Sequence, residues 1–354
     1  MKSSFDIKTL NLIVLVLAII FLSNLMEHKN LLSQLVAHLE NLNLPRKLMY
    51  ILLPAFIGLL PMPGGALFSA PMVDKAIKDD LSNEEKTYIN YWFRHIWEYF
   101  LPLYPGVILV SGLFNIPFIN FLKYHGIFLI FMLIIGYFVV LRKIKEEEKL
   151  KKRVDKREIL GVLYSIYPVI LIFILVFVFN IKTVISVLLT CILSIFLYKV
   201  KFNDVWLFIK KSLKFDMIIM ILGIFYFKEA LHITGAIDLL PTIFPESNSI
   251  AVYLILILLP LISGLLTGIT IAYVGISFPI LSSYFISGHI INMPLETLAY
   301  ISGFIGVLLS PVHLCLLLTN EYFKSNLLKV YKYLLISGIP LFISLLIYFF
   351  IIKN

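Results

Sequence analysis

The chain has 354 residues, 60% of them hydrophobic and 14% charged, with a mean hydropathy of +0.96. That balance excludes a soluble globule and points to an integral membrane protein. The formal net charge of +9 would suggest nucleic acid in a soluble protein. Here the basic residues cluster in short loops between apolar runs, so positive-inside asymmetry accounts for them and no nucleic-acid partner is expected.

In chain order, spans are expected at roughly 7–25, 90–112, 124–141, 160–179, 182–199, 215–231, 297–319 and 333–352. The first apolar run is too long for a signal h-region and no small-x-small site follows it, so it is read as an uncleaved span. Segments 48–73 and 250–288 are broken by helix-disrupting residues and read as re-entrant hairpins. Segments 30–44 and 201–213 are amphipathic and read as surface helices. This gives an all-α membrane protein of about eight spanning helices plus two oppositely oriented hairpins. An N-terminal half, 1–141, holds the first hairpin, and a charged cytoplasmic linker covers 142–158. A C-terminal half, 159–354, holds the second hairpin.

The two broken segments share a design. The first reads Pro54-Ala-Phe-Ile-Gly58-Leu-Leu-Pro61-Met-Pro63-Gly64-Gly65-Ala66, and the second, 206 positions later, Pro260-Leu-Ile-Ser-Gly264-Leu-Leu-Thr267-Gly268-Ile-Thr270-Ile-Ala272. Pro105 and Pro311 also stand 206 apart. Paired interruptions in two halves of a membrane protein mark a transporter's binding region. With the N-terminus outside and the hairpins entering from opposite faces, inside segments carry 23 Lys and Arg and outside segments five. That bias supports the orientation and satisfies an inverted repeat.

The densest polar cluster within a span holds Asn90, Arg94, His95 and Glu98, with Pro102 and Pro105 breaking the span downstream. Asn90, Arg94 and Glu98 fall at i, i+4 and i+8, so a helix sets them along one face. Ionisable groups at this depth face a cavity or one another. Arg94 suits a carboxylate or phosphate, and Glu98 or His95 suits a proton. The hairpin tips add Gly64, Gly65, Gly268 and Gly275 for close backbone approach and Ser69, Thr267 and Thr270 as hydroxyls. Half-helix N-termini at such tips attract anions. Ser310, Pro311 and His313 form the counterpart of the Pro105 break. Lys228, Glu229 and His232 sit at the outer end of their span, where snorkelling suffices.

Cys191 and Cys315 lie in apolar runs without CxxC or Cys/His spacing, and read as packed thiols with neither disulfide nor metal. His28, His38, His125 and His289 are dispersed singly. HExxH, GxSxG and P-loop signatures are missing, so neither an enzyme nor a cofactor is expected.

The blocks Leu60–Asp74 and Asn90–Gly106, with Ser310-Pro311-Val312-His313, resemble the signature blocks of a prokaryotic membrane family known as domain of unknown function 401. That family is in turn similar to the ion transporter superfamily of gluconate permeases and dicarboxylate carriers. The resemblance implies two inverted repeats, each with a re-entrant hairpin and a broken helix. The Ser-Asn-Thr motifs that mark sodium sites in the dicarboxylate carriers are missing from both tips, which favours protons over sodium. The resulting expectation is a multi-pass plasma-membrane secondary transporter for a small carboxylate-type anion. Substrate contacts would come from Arg94, Asn90 and the two tips, with coupling through Glu98, His95 or His313. A passive channel and a membrane enzyme using Arg94, His95 and Glu98 are the alternatives, and a homodimer is left open.

Overall fold

The computed structural model describes residues 7–42, 44–59, 65–76, 81–145, 155–243, 249–287 and 290–353. They form an all-helical protein, apart from a two-stranded ribbon pairing Ile286–Ser287 with Ile290–Ile291. Among the described residues five helices are long and apolar enough to cross a membrane, at Thr9–His28, Phe118–Val139, Lys156–Val178, Ile250–Thr267 and Leu327–Ile352. Large apolar side chains point outward from several helices, among them Phe196 at 74% exposure and Leu266 at 71%. A lipid solvent covers such a surface without cost, whereas a soluble monomer rarely exposes so much. The chain is a membrane-type helical protein.

The first half opens with α1 (Ile7–His28) and the amphipathic α2 (Leu31–Asn41), where a surface helix is expected. Then come α3 (Arg46–Gly58), α4 (Ala66–Ala76), α5 (Asn83–Arg94), α6 (Pro105–Phe114), α7 (Phe118–His125) and α8 (Ile127–Val139). Beyond the linker lie α9 (Lys156–Phe173), a π-helical turn at Ile174–Val178, α10 (Thr183–Leu197), the amphipathic α11 (Phe202–Ser212), α12 (Phe215–Ile233) and the short α13 (Ala236–Ile243). The second half ends with α14 (Ser249–Thr267), α15 (Thr270–Phe285), α16 (Met293–Leu308), α17 (Leu314–Phe323) and α18 (Leu327–Ile352).

One expectation is met and two change. The breaks expected at Pro102, Pro105 and Pro311 are present: the spans at 90–112 and 297–319 are each two helices around a non-helical stretch, 95–104 in the first and 309–313 in the second. The cause is local, because a proline ring clashes with the carbonyl four residues back and removes an amide donor. Pro102 therefore keeps the turns beyond α5 from resuming a helix, and Pro105 restarts the chain as the first residue of α6, where its missing N–H is harmless. The second hairpin does not break at Pro260 or Gly264. Helix α14 runs through both and ends at Thr267, with the turn at Gly268 and Ile269. A proline within a membrane helix is tolerated when neighbouring helices cover the freed carbonyl. Finally, α10 has 15 residues, and α12 carries Asp216, Lys228 and Glu229 in its apolar run.

The helix contacts pair up under the 206-residue offset. Within the repeats α3 packs on α4 and α5, and correspondingly α14 packs on α15 and α16. Between the repeats α4 packs on α17, while α6 packs on α15. This reciprocal exchange is the pattern a two-fold relation generates. Glycines set the approach: Gly58 lies against the carbonyl of Arg94, and its counterpart Gly264 lies against the carbonyl of Gly303. Small residues let helix backbones approach closely in this way.

The five basic segments counted as inside also meet. Lys29 Nζ donates to the Lys199 carbonyl, Lys75 pairs with Glu40 at 2.9 Å, and His38 meets Glu158 at 2.7 Å. Lys143 pairs with Glu85 at 3.0 Å, and the Asn326 amide donates to Glu84 Oε1. Among the described residues these contacts link parts of all five segments into one face.

A methyl group at Gly264 would collide with the Gly303 carbonyl, whereas Gly223 on α12 has open space. Gly264→Ala is expected to destabilise by about 1–3 kcal/mol, and Gly223→Ala to stay within about 0.5 kcal/mol. Thermal unfolding in detergent measures both.

Candidate functional site

The capping box of Ser82 and Glu85 starts α5, which ends at Arg94. His95 through Phe100 continue as turns, so Glu98 lies beyond the helix and does not continue the Asn90–Arg94 face. Asn90 instead faces α17, its Nδ2 donating to Thr319 Oγ1 at 3.0 Å. Arg94 is buried, and its guanidinium lies against the first tip, where a Cβ at Gly65 would strike Nη2. Pro61, Pro63 and Gly64 of that tip lie outside the described residues.

The second tip is held by the second break. Gly268 has φ +64°, left-handed backbone that suits glycine, and its carbonyl accepts from His313 Nδ1 at 2.6 Å. Ser310 Oγ stands beside Gly268 and accepts from the Val312 amide. In the first repeat Tyr104, 206 residues before Ser310, donates its hydroxyl to the Gly58 carbonyl. Pro311 ends α16, and His313 stands at the N-cap position of α17.

The two breaks then touch. His95 Nε2 and His313 Nε2 are 3.0 Å apart, and Glu98 Oε1 lies 3.9 Å from His95 Nε2. Arg94, His95, Glu98, Ser310 and His313 thus belong to one buried junction between the repeats, with Gly65 and Gly268 at its two tips. Thr270 reaches the margin, packed with Tyr300 against Gly106. The hydroxyls of Ser69 and Thr267 turn away from it, bonding to carbonyls of their own helices: Ser69 to Gly65 and Ala66, Thr267 to Ser263 at 2.7 Å. Lys228 lies far from the junction, its ammonium on the Leu113 carbonyl and over the Phe114 ring.

Several residues that hold this junction carried no motif. Tyr300 Oη donates to the Glu98 carbonyl at 3.3 Å, and Tyr91 Oη donates to the Leu308 carbonyl at 3.1 Å. Each repeat thereby satisfies a carbonyl in the other's break. His125 Nδ1 donates to the Tyr99 carbonyl at 2.7 Å, leaving Nε2 at 3.0 Å from Glu296 Oε2, with both side chains fully buried. A carbonyl can only accept, so Nδ1 carries hydrogen. The remaining contact must then hold one proton, as imidazolium on carboxylate or as carboxylic acid on imidazole. Glu296 sits in the first turn of α16 and His125 in the last turn of α7, positions that suit a negative and a positive group respectively. The offset offered one usable signal, since Tyr300 stands 206 residues after Arg94. His125 and Glu296 offered none, being 171 residues apart.

The family model for DUF401, described as a protein of unknown function, matches residues 1–351. The chain belongs to that family. No curated protein matches it in sequence.

His125→Ala would leave a buried Glu296 oxygen and the Tyr99 carbonyl without their donor. Thermal unfolding is expected to show a loss of about 1–3 kcal/mol or more, with Glu296→Gln milder because an amide still reaches the imidazole.

Proposed function

We propose that this protein is a secondary transporter for a small organic anion of the carboxylate class, working by alternating access in the cell membrane. The observation that carries this reading is the junction itself. Two helix–break–helix pairs, related by the 206-residue offset, exchange partners around a buried set of Arg94, His95, Glu98 and His313. Non-helical backbone and ionisable side chains at membrane depth are costly and mark substrate or ion pathways.

Arg94 supplies the fixed positive charge that attracts the anion, and the backbone of the tips at Gly65 and Gly268 gives it close approach. Glu98, His95 and His313 supply the groups that take up and release the coupling proton. Rocking of one repeat against the other would expose the junction to each face in turn. The inverted orientation of the repeats and the ion-transporter type of architecture belong to this proposal, as does a cytoplasmic position for the basic face. The strong segregation of Lys and Arg supports that placement.

The test begins with purified protein and a thermal-shift screen of organic anions at several pH values, with and without sodium. A bound substrate at 100 times its Kd stabilises by about 2.7 kcal/mol. The anion so found should be taken up by proteoliposomes under an imposed proton gradient. Arg94→Ala should reduce uptake at least about 100-fold, a loss of about 2.7 kcal/mol, while the protein remains monodisperse and cooperatively folded. Undiminished uptake by that variant would show that Arg94 only braces the tip.

A further inference from the structure

The proposed function uses the histidine pair as a proton site, but its hydrogen bonds ask for more. His95 Nδ1 faces the Tyr91 carbonyl, and His313 Nδ1 faces the Gly268 carbonyl at 2.6 Å. Both carbonyls can only accept, so both Nδ1 atoms carry hydrogen and the neutral rings present bare Nε2 lone pairs. Those two lone pairs point at each other across 3.0 Å, buried from solvent. Left alone the arrangement is repulsive, and a cation between the nitrogens removes the repulsion.

A third donor stands there. The Sγ of Cys315, two residues beyond His313, and one ring nitrogen of each histidine all lie within 4.8 Å of one another. The Glu98 carboxylate adds negative charge 3.9 Å from His95 Nε2, and its Oε2 has no hydrogen-bond partner among the described residues. Arg94 and the Tyr91 ring complete the surroundings, the guanidinium directed to the Gly65 tip and the ring 4.5 Å from that of His95.

We infer that His95 Nε2, His313 Nε2 and Cys315 Sγ form a binding site for one thiophilic divalent cation of the zinc class. The observed 3.0 Å between nitrogens is close to the roughly 3.3 Å that two Zn–N bonds of about 2.0 Å subtend at a tetrahedral ion. Each imidazole donates its other N–H to a backbone carbonyl, which is how ligating histidines are commonly oriented. Imidazole and thiolate select zinc-like ions over magnesium or calcium. The Glu98 carboxylate or a water can take the fourth position. Binding converts the Cys315 thiol to thiolate, and the displaced proton leaves to solvent. The site ties α17 and the second tip to the end of α5, so an ion there would clasp the two repeats. It does not depend on whether the protein transports.

The test uses the full chain, purified in detergent and stripped with a chelator, titrated with Co2+. One equivalent should release about one proton and produce a thiolate-to-cobalt charge-transfer band and the visible bands of a tetrahedral ion, both bands being abolished when Zn2+ displaces the Co2+. Cys315→Ser should remove the charge-transfer band and weaken binding by more than the roughly 10–100-fold typical of an outer-shell partner. Cys191→Ser, whose thiol packs against the Ala18 carbonyl on α1, should leave both unchanged. In the wild-type chain Zn2+ should also protect Cys315 from alkylation, read by mass spectrometry, so the result does not hang on a variant that folds. No band and no protection would mean that a proton alone bridges the histidines. A band that survives Cys315→Ser, or disappears in Cys191→Ser, would place the ion elsewhere; either result overturns the site.

Discussion

A helix interrupted inside an apolar slab leaves carbonyls and amides that lipid cannot satisfy, and in this protein each interrupted helix depends on the other repeat for part of that satisfaction. Pro102 releases the carbonyl of Glu98, and the non-helical stretch leaves that of Tyr99 without a helical donor. Tyr300 and His125 take them up, and His125 is itself braced by Glu296. Pro311 ends α16, and Tyr91 takes up the carbonyl of Leu308. Neither break is self-sufficient, so the halves must dock before either is stable.

The same dependence places the chemistry. Because the breaks are satisfied across the interface between repeats, the polar side chains that accompany them are gathered at that interface. His95 comes from the first break and His313 from the second, and they meet at 3.0 Å because their backbones are pinned by their partners. The tips arrive by another route, through glycine. Gly58 and Gly264 bring α3 and α14 against the carbonyls of Arg94 and Gly303, close enough for each tip to reach its own break. An anion at Arg94, a proton on Glu98 and an ion between the histidines would all act on one set of contacts. Anything bound there bears directly on how the repeats sit together.

Much of the fold was legible because membranes simplify the reading. Apolar run lengths located the helices, and prolines located the interruptions. The amphipathic segments 30–44 and 201–213 emerged as α2 and α11. The charge count grouped five basic segments that the packing then joined through Glu40, Glu158, Glu85 and Glu84. Less legible was how far a helix tolerates disruption. Pro54 and Pro260 both look disruptive, yet α3 continues through the first to Gly58 and α14 through the second to Thr267, with α5 packed along α3 and α16 along α14. The hydroxyls of Ser69 and Thr267 read as ligands in a string of letters, but they had nearer carbonyls in their own helices.

The sequence by itself determined the class of solvent, the proline breaks in the spans at 90–112 and 297–319 and the clustering of basic residues in loops, since each follows from local hydropathy, proline chemistry or counting along the chain. Only the tertiary structure decided which buried groups meet. Cys315 lacks Cys/His spacing to His95, yet its thiol stands beside that imidazole because α17 packs on α5. His125 looked solitary until α7 met the first turn of α16 and gave it Glu296. Such pairings span 171 to 220 residues. No local pattern encodes them, because the free energy that selects them belongs to the docking of one repeat on the other.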